Sequence, residues 1–508
     1  VRQAGPRARL LAGAAGAALL ACATPASAEN LREALVGAYN TNPTLQAARA
    51  NQRAIDEDVP IAKADGRPSL TGQATYTEFP RKSANNFTAP DRALSSTLSL
   101  TVPLYSGGAV RNGIKAAETR VEAGQADLRG TESAVFSQVV AAYMDVMLNE
   151  AVLGINRNNV EVLQVNLRAT SDRFEIGDLT RTDVAQSQSR LALARGDTRT
   201  AEANLVEARE RYVQLVGRAP DALDPPPPLP NLPARPEDAV AVALDSNPDL
   251  IAARERRKAA AFDVKVAGSG RLPTLQAFSQ GAYNDYFDTL GGSLGGSAAF
   301  AQSETTAQWG LRATVPIFQG GRPAARRRQA QAREGAALEQ EIAAERDLIA
   351  QVRAAYSSWR AASEIIVSNQ TAVDAATLSL EGVRAENSVG NRTILDILDA
   401  EQELLQTRVR LVTARRNAYV AGFSLLAAMG KAEAQDLGLD GGVLYDPETN
   451  YQRVRGKWFD WDDDARPKAR STRTVDTPAQ DSEIRGSEAV TIQSTKDGSK
   501  TTTAPGGN

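Results

Sequence analysis

The chain has 508 residues, 42% of them hydrophobic and only 5% aromatic, with a formal net charge of −3. It contains no His and one Cys, Cys22, which excludes disulfides within the chain, Cys or His metal clusters and Ser-His-Asp triads. The mild acidity is no footprint for nucleic acid, and no constellation of carboxylates or lysines calls for catalysis. The chain reads as a non-enzyme without cofactor or metal.

Residues 1–28 have the form of a signal peptide. Arg2, Arg7 and Arg9 supply the charged region, Leu10–Cys22 is an apolar core too short to span a bilayer, and Ala26-Ser27-Ala28 precedes Glu29 as a cleavage site. A rival reading takes Leu19-Leu20-Ala21-Cys22 as a lipoprotein signal with Cys22 acylated, although Leu20 is bulky for that pattern. Cleavage before Glu29 is the favoured expectation. Beyond it no apolar run of about 20 residues suggests a transmembrane helix. An exported chain of this kind is either free in the periplasm or a β-barrel protein.

The rest is one unit written twice. Asn42-Pro43 returns as Asn247-Pro248, and Pro68-Ser69-Leu70 as Pro273-Thr274-Leu275, both 205 residues on. Val102-Pro103-Leu104-Tyr105-Ser106-Gly107-Gly108 returns as Val315-Pro316-Ile317-Phe318-Gln319-Gly320-Gly321, now 213 on. Tyr143 and Tyr356, Gly177 and Gly390, and Gly217-Arg218 and Gly430-Lys431 keep that offset. The jump places an insertion at Leu290–Ser297, a Gly/Ser-rich loop between two strands. The organisation is therefore a first repeat over 29–220, a proline-rich connector over 221–236 and a second repeat over 237–431. A segment over 432–465 follows, with aromatics among charges, expected to be a periplasmic equatorial segment, and then a polar tail over 466–508 expected to be disordered.

Each repeat carries two stretches of period-2 alternation. Leu70, Gly72, Ala74 and Tyr76 alternate with Thr71, Gln73, Thr75 and Thr77, and Leu94, Leu98, Leu100 and Val102 with Ser95, Thr97, Ser99 and Thr101. Ala307, Trp309, Leu311, Ala313 and Val315 alternate with Gln308, Gly310, Arg312 and Thr314, while Leu275–Phe287 is less regular. This is the apolar-out, polar-in pattern of a membrane barrel; one such strand alone equally suits a half-buried sheet. Four strands cannot close a barrel, and an open edge in lipid leaves backbone groups unpaired, so the chain must oligomerise. Two copies give eight strands and three give twelve; periodicity does not choose.

Proline-free runs follow each strand pair, ending at Pro220 and near Pro447. Divided at Gly177, the first gives a descending helix of about 65 residues, approaching 100 Å, which indicates a coiled-coil-like tube or stalk. Leu191, Leu193, Leu205 and Val206 suit close helix contact. Gly177 and Gly390 fall where helical hairpins turn, within Ile176-Gly177-Asp178-Leu179-Thr180-Arg181-Thr182-Asp183-Val184 and Val389-Gly390-Asn391-Arg392-Thr393-Ile394-Leu395-Asp396-Ile397-Leu398-Asp399.

With these motifs and Glu29-Asn30-Leu31, residues 29–450 resemble the TolC family of outer-membrane efflux channels. The resemblance implies an α+β membrane channel: a homotrimer with one 12-stranded β-barrel in outer-membrane lipid, continuous with a periplasmic α-helical barrel whose tips close as an iris. It implies docking on a periplasmic adaptor and an inner-membrane ABC or RND-type pump, for type I protein secretion or multidrug efflux. Asp396 and Asp399 resemble the family's entrance acids, a ring that favours cations. Arg392 resembles the arginine that ties adjacent hairpins shut, with Asp183 and Thr182 as partners. Asn387 departs from the pattern, since the family often has tyrosine there. Ile176, Gly177, Val389 and Gly390 resemble tip positions that adaptors engage. Two alternatives stand beside this reading: a lipid-anchored drug or metal efflux channel if Cys22 is acylated, and a periplasmic coiled-coil scaffold with no pore.

Overall fold

The computed structural model describes residues 29–81, 89–291, 300–439 and 444–485. In the first repeat, α1 (Leu31–Thr41), α2 (Pro43–Asp56) and α3 (Asp58–Ala64) precede β1 (Ser69–Glu78), β2 (Arg92–Tyr105), α4 (Ala109–Glu175) and α5 (Arg181–Val216). The second runs α6 (Pro236–Ser246), α7 (Pro248–Ser269), β3 (Thr274–Asp285), β4 (Ser303–Thr314), α8 (Arg322–Ser388) and α9 (Ile394–Ala428), and α10 (Pro447–Val454) follows.

Each Asn-Pro pair is a helix boundary used twice. The side-chain oxygens of Asn42 and Asn247 cap the first turns of α2 and α7, and the prolines sit where no amide donor is needed. The amide nitrogens donate to the ends of the returning helices, Asn42 to Leu215 O and Asn247 to Ala428 O, both at 3.0 Å. One residue type thus ends one helix, starts the next and fastens both to the long hairpin.

Helices α4 and α8 have 67 residues each, about 100 Å at 1.5 Å per residue. Part of α4 is long and apolar enough to cross a membrane by composition, which the sequence reading did not foresee; half of that window is buried inside the chain. The main core lies near the middle of the long helices, where Leu35 and Tyr39 of α1 meet Phe136, Val139 and Tyr143 of α4 and Tyr212 of α5. Toward the tips it thins to small clusters, Leu163, Leu191, Ala194 and Leu398 in one and Ala376, Leu380, Ala400 and Leu404 in another.

The four strands form one antiparallel sheet in the order β1-β2-β3-β4, leaving β1 and β4 as its edges. The β1–β2 and β3–β4 loops leave the end remote from the helices, tied by Thr289 Oγ1, which accepts from the amides of Asp91 (3.1 Å) and Arg92 (3.4 Å). The inserted stretch Leu290–Ser297 falls in the β3–β4 loop, and 292–299 lie outside the described residues.

The expected disorder of 466–508 is overturned for 466–485, which run as an extended strap along α4 and α5. Arg209, fully buried, donates to Asp481 Oδ1 (2.7 Å), to the carbonyls of Asp481 (2.8 Å) and Glu483 (2.5 Å), and to Glu150 Oε1 (2.6 Å). Ile484 packs against the main core, and Arg485 donates to Pro220 O at 3.0 Å. Composition misleads here because the strap is held by polar groups on the helices, not by a core of its own. Residues 486–508, and the proposed leader with Cys22, lie outside the described residues.

Candidate functional site

The two tips are built alike. Gly177 and Gly390 have φ of +84° and +82°, the left-handed turn that ends α4 and α8. Nothing lies within 4 Å of a Cβ built on either, so backbone conformation, not crowding, requires glycine there. Beside them Ile176 and Val389 are 80% and 70% exposed. Apolar side chains thus stand at the extreme ends of both hairpins.

Thr180 and Thr393 then start α5 and α9 with capping boxes. Asp183 Oδ2 accepts from the Thr180 amide (2.8 Å) and hydroxyl (2.7 Å), and Asp396 Oδ2 accepts from Thr393 with the same distances. These bonds hold both carboxyls below the usual aspartate range. Asp183 and Asp396, assigned to different roles by resemblance, occupy equivalent positions 213 residues apart and do the same local job.

Each hairpin is pinned by its own ion pair, with the polarity reversed. Arg173 pairs with Asp178 at 2.7 Å in the first tip; Arg392 Nε donates to Glu386 at 2.7 Å in the second. Arg392 also stands 3.8 Å from Asp396, and Asn387 Nδ2 donates to Arg392 O at 2.7 Å. Within one chain, among the described residues, Arg392 is not brought to Asp183 or to Thr182, which is exposed at the start of α5. Asp399 shares the start of α9 with Asp396 but is engaged elsewhere: it accepts from Arg190 Nη2 on α5 at 2.6 Å.

Two participants escaped the sequence reading. Arg190 is one. The other is Glu401, buried, whose carboxylate accepts from Asn166 of α4 (2.8 Å) and Arg384 of α8 (2.9 Å). It thereby joins α4, α8 and α9. A Glu in a charged helix reads as solvated, and its partners lie 235 and 17 residues away.

At the other end, pairing register sorts the sheet into two faces. Leu70 opposes Leu100, Leu100 opposes Ser279, Ser279 opposes Trp309 and Ala277 opposes Leu311, so the apolar alternates share one face. Leu70, Tyr76, Leu98, Leu100, Tyr283, Trp309 and Leu311 are exposed on it. The other face carries Gln73, Thr97, Ser99, Gln280 and Gln308, with Gln308 Nε2 donating to Gln280 Oε1 at 3.0 Å. So large an exposed apolar face on a sheet continuous with polar-jacketed helices is a membrane surface.

A lipid-facing sheet on helices of about 100 Å defines the class: an outer-membrane channel with a helical part projecting into the periplasm. The chain belongs to the outer membrane efflux protein family, whose model matches residues 35–218 and 239–431. It is 35% identical over 437 residues to the outer membrane efflux protein BepC of Brucella suis biovar 1, covering 85% of this chain and 92% of that one. It is 27% identical over 437 residues to the outer membrane protein TolC of Escherichia coli K12, covering 83% and 86%. The fold matches the crystal structure of the outer membrane protein VceC from Vibrio cholerae, with a TM-score of 0.67 and 22% identity over 79% of this chain and 96% of that one. The protein is thus an outer-membrane exit duct of the tripartite efflux or secretion type, and its family is one of transporters rather than enzymes.

Proposed function

We propose that three copies of the chain close a single 12-stranded barrel, and that the duct is passive, opened at its helical tips by a periplasmic adaptor and an inner-membrane ABC or RND-type pump. The observation that carries this is the two-faced sheet with both edges open: in lipid, β1 and β4 need partners, and a neighbour's β4 and β1 supply them. The β1–β2 and β3–β4 loops then face the cell exterior. Exposed Ile176 and Val389, beside Gly177 and Gly390, offer the adaptor an apolar foothold at each tip. In the closed ring Arg392 exchanges Glu386 for Asp183 and Thr182 of an adjoining hairpin, with Asn387 holding the turn, and Asp396 and Asp399 face the entrance. Type I protein secretion and multidrug efflux both use such a duct. Electrophoresis of unheated and boiled outer membranes tests closure. An oligomer that collapses to monomer only on heating is expected; a monomer in both lanes would contradict a barrel closed by several copies.

A further inference from the structure

Helix α10 buries Val454 and packs Tyr451 beside Val59 of α3 and Ala117 and Val121 of α4. The chain then forms a hook over 457–464. Arg67 Nη1 donates to Lys457 O at 2.6 Å, and the Arg67 guanidinium lies 4.6 Å from the centre of the Trp458 ring. Arg67 stands just before Ser69, the first residue of edge strand β1. The hook is therefore fixed at the β1 edge, on the rim of the sheet nearest the helices.

Among the described residues its outward side is unpartnered. Phe459 is 80% and Trp461 94% exposed. Asp462 and Asp464 pair with Lys457, and Asp464 also with Arg453. Asp460 and Asp463 are exposed and, among the described residues, form no ion pair.

The opposite edge carries the complementary chemistry on the same rim. Strand β4 ends at Thr314, and Ile317 and Phe318 after it are almost fully exposed. Arg322, Arg326, Arg327 and Arg328 open α8, all exposed and, among the described residues, without an ion pair.

We infer that the hook over 457–464 clasps the neighbouring copy of this chain, seating its aromatic rings on that copy's Ile317–Phe318 corner and its acids on the α8 arginines. The inference rests on the proposed ring, in which β1 of one copy adjoins β4 of the next and brings the two patches together. Aromatics at a membrane rim also suit lipid headgroups. Asp460 and Asp463 would enter that region unpaired, whereas α8 offers four cations, so charge complementarity favours the second copy.

Cysteine pairs test this directly in a Cys22→Ser background, which has no other thiol. Asp463→Cys with Arg327→Cys, and Asp460→Cys with Arg326→Cys, should give covalent ladders up to trimer on oxidised, boiled, non-reducing gels, while each single variant gives none. Where a pair disturbs assembly, charge reversal decides. Arg327→Glu and Asp463→Arg should each lower the temperature at which the oligomer dissociates, and the double variant should recover most of that loss. A heat-sensitive oligomer without cross-links, without recovery, and with Trp461 quenched by brominated phospholipid in a Trp309→Phe/Trp359→Phe/Trp458→Phe background, which leaves Trp461 as the one tryptophan, would overturn the clasp and leave the ring intact. A wild-type chain monomeric before heating would overturn both.

Discussion

Arg190 of α5 and Asp399 of α9 form an ion pair of 2.6 Å between the two ascending helices of one chain, in the third turn of α5 and the second of α9. The motif acid is thus a tie as well as a charge. An exposed pair of this sort is worth about 0.2–1 kcal/mol. In the proposed ring, three copies opening together would bias the closed state by up to about 3 kcal/mol, roughly a hundredfold in population. Arg190→Ser and Asp399→Ala should therefore both raise resting conductance in bilayers. They should move selectivity in opposite directions, because at the proposed entrance the first would free a carboxylate and the second would remove one. Reversal potentials in a salt gradient check this; shifts of the same sign would contradict it.

The capping boxes give the tips a pH limit. Asp183 and Asp396 have carboxyls depressed by their bonds to Thr180 and Thr393. A depressed folded value means that their stabilisation is complete above the ordinary aspartate value of 3.8 and is lost as pH falls through the lower folded value. A spin label on Ile176→Cys should keep its mobility from pH 8 to 5 and loosen only below the ordinary value. Loosening between 8 and 5 would point to some other titrating group. Thr180→Ala should loosen the same label at neutral pH, with a loss of about 1 kcal/mol of local stability.

Glu401 joins three helices where the core is thin. Glu401→Ala leaves the Asn166 amide and the Arg384 guanidinium without their acceptor, a loss of about 1–3 kcal/mol. Limited proteolysis should then cut the lower hairpins at least several-fold faster while the heated monomer–oligomer transition is unchanged. Equal cleavage rates would show that packing alone holds the tips.

Deleting residues 466–508 should lower the unfolding temperature. It removes the Asp481 and Glu483 partners of fully buried Arg209 and leaves only Glu150, again about 1–3 kcal/mol. An unchanged unfolding temperature would mean that the strap lies along the helices without supporting them.

What was legible in the chain is what the backbone itself dictates. Asn42 and Asn247 before proline, Gly177 and Gly390 at the turns, and the alternation around Leu98 and Trp309 each state a local geometry, and each recurs at a fixed offset. Asp183 and Asp396 were visible, but their shared capping duty came second to roles inherited by resemblance. Arg190, Glu401 and Arg209 were illegible for a common reason. A charged residue in a charged helix gains meaning only from a partner on another element, and theirs lie 209, 235 and 272 residues away. The strap over 466–485 was misread because its binding groups belong to α4 and α5.

Native mass spectrometry of the unheated, detergent-released complex bears most directly on ring closure. Each chain contributes four strands with β1 and β4 open, and the proposed barrel needs twelve. Particles of three chains that fall to single chains after boiling are expected. Particles of one chain, or of two, would contradict a barrel closed by three sheets.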